Sequence, residues 1–313
     1  MSGGSDRPKA GGQAVIEGVM IRSGAAAAVA VRAPDGTIRA GRLGTPVLGL
    51  KGIWKKPVLR GAAMLLDTLR IGMAALNWSA EAAEPESAAK KGGFQSFAAT
   101  ATGLLLALVL FAWLPLKLAM ILLPGGRANL WINLFAGAFR VMAFFAYVAA
   151  ISLIPSIRRV FVYHGAEHQT IHAWEKGLEP LVDGAAGESP LHPRCGTSFL
   201  LLVILLGILF YALVDTAATA MAGTVIQAHW RVLYHIPLLP LVMGLSYEVL
   251  KVADRNLETS SIARAVSAPG MLLQRMTTRR AGRAEVEVAA AALELAVGID
   301  PGEGVRVEED PVG

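Results

Sequence analysis

Three windows of this chain are long, apolar and almost uncharged. Each admits one charged side chain: Lys117 in Ala98–Leu123, Arg140 in Leu130–Ile154 and Asp215 in Phe199–Ala222. About 20 residues cross a hydrocarbon core of about 30 Å, so each window is long enough to span a bilayer. Trp230–Leu250 reads as a fourth span, interrupted by His235, Pro237 and Pro240 and therefore expected to kink. Hydrophobic residues make up 54% of the 313 and the mean hydropathy is +0.50, more than a soluble core of that size requires. The fold class these features predict is mainly α: a polytopic membrane helix bundle of about four spans.

Charge placement orients the bundle. Lys51, Lys55, Lys56, Arg60, Lys90 and Lys91 precede the first span, Arg158 and Arg159 follow the second, and Lys251 and Arg255 follow the fourth. The connectors 124–129 and 223–229 hold only Arg127. An excess of Lys and Arg marks cytoplasmic loops, so both termini are expected in the cytoplasm. Met1–Gly24 shows no apolar core of a secretory signal. The net charge of +5 sits at span ends, where the lipid bilayer is the expected partner. No basic patch interleaved with aromatics suggests nucleic acid. A single cysteine, Cys195, excludes an intrachain disulfide.

Outside the spans, Gly11–Arg22 leads into alternating apolar positions at Val29, Val31 and Ile38 around a Pro34-Asp35-Gly36 turn. This predicts a small N-terminal β-hairpin unit within residues 1–60. Residues 61–78 form an apolar helix carrying Asp67 and Arg70, expected to be interfacial or packed against the bundle. Residues 79–93 read as a linker, and 94–252 as the four-span domain with a cytoplasmic histidine-rich segment at 155–197. Beyond it, Asp254–Ser267 is polar, Pro269 opens a helix through Met276, and Ala284–Val297 forms a terminal amphipathic helix. These C-terminal helices, 253–297, are placed on the cytoplasmic side, and the acidic tail from Gly298 is expected to fray.

The chemistry concentrates between the second and third spans. On a helix, His164, Glu167, His168, His172 and Glu175 fall at i, i+3, i+4, i+8 and i+11 and share one stripe. Two imidazoles one turn apart with a carboxylate beside them match the H-x-x-E-H pattern of inverzincins. His192 and Cys195 lie in the same segment, which is short enough to fold back on itself. A site of His164, His168 and His192, completed by Cys195 or by water, suits zinc. With Cys195 as ligand the site is closed and structural; with water in its place Glu167 becomes the general base. The plain alternative is that these histidines hydrogen-bond backbone carbonyls and headgroup phosphates. Glu17, set in an apolar run, needs a partner and is a further candidate ligand or base. His172 and Glu248 are further candidates, the latter returned to the same face by the fourth span. Within the membrane, Lys117 and Asp215 sit at matching depths and are expected to form a structural pair, with Arg140 as the rival partner.

Four stretches carry a family resemblance: Gly11–Met20, Tyr163–His168, His192–Leu200 and Leu273–Thr278. Together they resemble the YqhQ-like bacterial membrane proteins, a domain family described as predicted metal-dependent enzymes. The resemblance runs from about Gly11 to Val297. It implies a multi-pass protein of the bacterial inner membrane, with metal residues mapping onto His164, Glu167, His168, His192 and Cys195. His172 lies outside that pattern, and no reaction comes with it. Three functions stay open: a zinc-dependent hydrolase acting on a lipid-linked or membrane-proximal substrate, a non-catalytic scaffold docking partners, and a transporter. The last is disfavoured because no inverted repeat is evident.

Overall fold

The computed structural model describes residues 7–44, 52–83, 93–123, 129–224 and 226–308. Lys51, Lys90, Lys91 and Arg127, and most of the linker read at 79–93, lie outside them. Strands β1 (Ala10–Val15), β2 (Gly18–Ser23), β3 (Ala26–Arg32) and β4 (Ile38–Leu43) form an antiparallel meander. The helices follow: α1 (Leu59–Ala83), α2 (Gly93–Leu108), α3 (Leu114–Leu122), α4 (Asn129–Ile151), α5 (Pro155–Lys176), α6 (Leu181–Ala186), α7 (Gly196–Ala222), α8 (Ala228–Arg255), α9 (Ser261–Thr277) and α10 (Arg283–Val297). Strand β5 (Val305–Glu308) then closes the chain's described part.

Strand periodicity sorts the sheet into two buried faces. Val19, Ile21, Ala28, Ala30, Ile38 and Ala40 point to one side, and Val15, Met20, Val29, Val31 and Leu43 to the other. Helix α1 covers the second face with Ile71, Ala75 and Trp78. The helix read at 61–78 is therefore longer and packs on the sheet, burying Asp67 while Arg70 stays exposed. Helices α5 and α10 cover the first face. In α10, Val286 and every residue from Val288 to Leu293 are buried, because a helix apolar on all sides belongs in a core rather than at a surface. The N-terminal unit and the C-terminal helix, read as separate, thus share one three-layer core.

The tail expected to fray instead supplies β5, which runs parallel to β4. Glu308 anchors it, accepting from Arg39 at 2.6 Å and from Trp78 Nε1 at 3.3 Å. Helix α9 also differs from its sequence reading. It begins eight residues before Pro269, where Ser260 caps it by accepting from the Ala263 N–H.

Four helices are long and apolar enough to cross a membrane: Ala101–Leu122 across α2 and α3, Trp131–Ile151 in α4, and all of α7 and α8. The first contains a π-helical turn at Val109–Trp113. Pro115 has no N–H to offer the Phe111 carbonyl four residues earlier, and Arg140 Nε donates to that oxygen at 2.6 Å. The expected Lys117–Asp215 pair does not form. Asp215, fully buried, is held by Arg231 at 3.2 Å, Tyr234 at 2.5 Å and His235 at 2.8 Å. The start of α8 runs back beside the end of α7, and Arg231 and His235 lie one turn apart on the stripe that meets Asp215.

Candidate metal centre

Helix α5 starts with Pro155 in its first turn and stops at Gly177, which adopts a left-handed conformation with φ +72°. The histidine stripe is therefore helical, and its middle is buried. Gly165 makes this packing possible: a Cβ there would lie 1.7 Å from the carbonyl oxygen of Arg279. With no side chain in the way, Arg279 crosses α5 and donates its N–H to Phe161 O at 2.9 Å. That crossing brings the end of α9 onto the stripe.

His164 Nδ1 meets the Thr277 carbonyl at 2.9 Å and His168 Nδ1 meets the Pro190 carbonyl at 2.5 Å. A carbonyl only accepts, so both rings carry their proton on Nδ1 and turn the Nε2 lone pair away from these partners. His164 Nε2 lies 3.1 Å from Cys195 Sγ. His168 Nε2 is buried and has no hydrogen-bond partner among the described residues. One ligand atom from each of His164, His168 and Cys195 falls within 4.8 Å of the others. Cys195 itself caps α7, its sulfur accepting from Thr197 N–H at 3.4 Å.

This donor set fits a divalent metal. Ligating histidines ordinarily donate their second nitrogen to a carbonyl or carboxylate, which fixes tautomer and ring orientation. Two nitrogens and a sulfur are zinc donors, and three protein ligands leave a fourth position.

Glu167 lies in the same turn of α5 but outside that group of three. Glu167 is 4% exposed, and its Oε2 has no hydrogen-bond partner among the described residues. Burial pushes its pKa up to about 7, against the opposing pull of His164 and of the Gly12 amide. Gly12 belongs to β1, where a Cβ would sit 2.1 Å from the Met20 carbonyl oxygen. The N-terminal glycine motif thus contributes backbone to the surroundings of Glu167.

His192 is not part of the group of three. Its Nδ1 accepts the Arg194 N–H at 3.3 Å and its Nε2 faces Glu175 at 3.7 Å. Burial pushes its pKa down to about 4, so the ring is neutral. Burial raises the Glu175 carboxyl, but its bond from His192 and the charge of Arg194 outweigh that and hold it below its ordinary value. Gln274 clamps the His192 backbone on both sides, accepting its N–H and donating to its carbonyl, each at 2.8 Å. The same amide donates to Ser198 Oγ at 2.8 Å.

The additional candidates have other partners. His172 Nε2 meets the Leu191 carbonyl at 2.9 Å. Glu17 forms the β1–β2 turn with φ +49°, binds Arg159 at 2.5 Å and accepts from Tyr163 at 3.4 Å. Glu248 binds Arg60 at 2.5 Å, away from the histidines, because α1 packs on that face of α8. The sequence reading missed Gln274 and Thr277 as supports of the site. The signal was their place in Leu273–Thr278, but a backbone carbonyl and a clamping amide leave no spacing rule to detect.

A family model described as a protein of unknown function (DUF1385) matches residues 56–298. The chain is 32% identical over 299 residues to the uncharacterized protein YqhQ of Bacillus subtilis (strain 168), with 90% of each chain covered. No solved structure matches.

Proposed function

We propose that this chain, which belongs to the DUF1385 family of proteins of unknown function, is a membrane-embedded, metal-dependent hydrolase centred on His164, His168 and Cys195. The observation that carries the reading is His168 Nε2. A buried imidazole nitrogen with no partner among the described residues costs about 1–3 kcal/mol, and His168 supplies one of three ligand atoms that all lie within 4.8 Å of one another. Nitrogen and sulfur donors favour zinc, which when bound supplies a Lewis acid that polarises a water or a substrate oxygen.

The chain's own residues do the rest. The Thr277 and Pro190 carbonyls hold the two rings, and burial around Glu167 keeps its pKa near neutrality. A carboxyl so poised takes a proton from an attacking water and returns it to a leaving group at neutral pH. Arg158, Arg159, Lys251 and Arg255 flank the end of the bundle that carries the site. Their charge supports a cytoplasmic site, with both termini on that side of a bacterial inner membrane.

One observation favours a second reading, a non-catalytic scaffold. Cys195 is 6% and His168 1% exposed, and α5, the loop before α7 and the end of α9 meet around them. A closed centre of this kind would tie the sheet unit to the bundle.

Metal analysis of detergent-purified wild type, His164→Ala and His168→Ala tests the centre, with near-stoichiometric zinc expected in wild type alone. Incubation with a bacterial polar-lipid extract, read by mass spectrometry, then tests catalysis. The hydrolase reading expects lipid species consumed by wild type and spared by metal-loaded Glu167→Gln. Full zinc with no turnover by wild type leaves the scaffold; no zinc in any sample overturns the centre.

A further inference from the structure

Helix α9 lies across the site-bearing end of the bundle. Its Leu273 is buried with Phe144 and Val148 of α4 and Leu201 of α7. Its outer face is unusual for a surface in water: Ile262 is 75% and Leu272 56% exposed, beside exposed Arg264 and Arg275. Apolar and cationic side chains on one helix at the end of a set of spans mark an element lying in the headgroup layer. Between α9, Leu257 and the loop residues Leu191 and Pro193 runs a groove of about 930 Å³, its lining mostly apolar with Arg264 and Arg275 contributing charge. That volume falls in the range of sites that enclose a small organic molecule. The two arginines are eleven residues apart, three turns of helix, or about 16 Å along one face.

Neither arginine meets a carboxylate among the described residues. Arg264 donates to the Leu257 and Glu258 carbonyls, at 3.5 and 3.2 Å. The groove therefore offers two uncompensated positive charges and an apolar floor, the complement of an anionic amphiphile. One wall belongs to the metal centre. Leu191 and Pro193 bracket His192, and the carbonyls that orient His168 and His172 are those of Pro190 and Leu191.

We infer that this groove binds a membrane phospholipid with an anionic headgroup, its acyl part along α9 and its phosphate at one of the two arginines, and so presents it to the loop that shapes the centre. Calling that lipid the substrate rests on the hydrolase reading above; the binding does not.

The test uses the full chain purified in mild detergent, with phosphatidylglycerol and phosphatidylcholine of matched acyl chains as probes and native mass spectrometry as readout. Wild type should retain phosphatidylglycerol at least tenfold over phosphatidylcholine. Ala268→Trp, which fills the groove, should lose that retention by tenfold or more. The double variant Arg264→Gln/Arg275→Gln should lose the headgroup preference. Excess glycerol 1-phosphate should not displace the lipid, since the apolar floor supplies part of the binding; displacement would assign the site to a soluble phosphate and overturn the inference. Equal retention by wild type and Ala268→Trp would overturn it as well. So would a wild-type dimer abolished by Ala268→Trp, which would give the groove to a second copy. Zinc measured on the same samples judges the other proposal separately: lipid retained without zinc leaves the groove standing and removes the hydrolase, and zinc without lipid does the reverse.

Discussion

Two buried clusters in this protein combine histidine with a carboxylate, and they are finished differently. Around Asp215, between α7 and α8, Arg231, Tyr234 and His235 all reach the carboxylate. Around His164 and His168, the Nδ1 atoms are satisfied by carbonyls, while His168 Nε2 and Glu167 Oε2 have no partners among the described residues. Burying polar atoms unpaired costs stability, so the arrangement that leaves two of them in one turn of α5 is the one proposed above as a site, whereas the one with its charge met is a clamp that holds the helices together. On the function proposed above, the contrast separates what holds the bundle together from what acts.

The largest effect should come from the clamp. Asp215→Ala leaves the fully buried Arg231 without its carboxylate and should cost about 3–5 kcal/mol, read as unfolding in detergent, with metal content per folded chain unchanged. A loss of zinc in that variant would break the division between the two clusters.

Glu167→Gln should act in the opposite direction in metal-free protein. The Glu167 pKa is raised in the folded state to about 7 from an ordinary 4.5, so its contribution is fully present below pH 4.5 and is lost as pH rises through 7. Glutamine has nothing to lose. The variant should therefore gain up to about 3 kcal/mol over wild type at pH 8 and show no gain at pH 4. Equal pH profiles for the two proteins would mean that Glu167 is solvated, which removes it as the poised base.

How much of this was legible in the sequence differs between the clusters. The spans were, since charge-poor windows of that length have few alternatives, and so was the helical stripe of His164, Glu167 and His168, which depends only on local periodicity. The partner of Asp215 was not. Depth along a span ranked Lys117 first, but rotation about the helix axis decides which side chains meet, and Arg231 and His235 had the right face. His192 was grouped with His168 by proximity in the chain, whereas Gln274 and Glu175 turn it toward another hydrogen-bond set. β5 was hidden because a four-residue strand added to an existing edge needs no turn signal of its own.

A smaller effect would sharpen the comparison. Gln274→Ala removes the acceptor of the buried His192 N–H, while the His192 carbonyl keeps the Cys195 N–H at 3.3 Å, and should cost about 1–3 kcal/mol. It should also weaken metal binding by about 10- to 100-fold through the loosened loop, measured by competition with a chromogenic chelator. Lost stability with unchanged affinity would show that the clamp on His192 serves the fold alone.

The central claim is that His164, His168 and Cys195 share one metal. X-ray absorption at the zinc edge on purified wild type, beside Cys195→Ser, reads the ligands directly. The account predicts one sulfur at about 2.3 Å and nitrogen or oxygen ligands at about 2.0 Å in wild type, with the sulfur shell gone in the variant. Zinc with no sulfur shell in wild type, or an identical spectrum from Cys195→Ser, would contradict it.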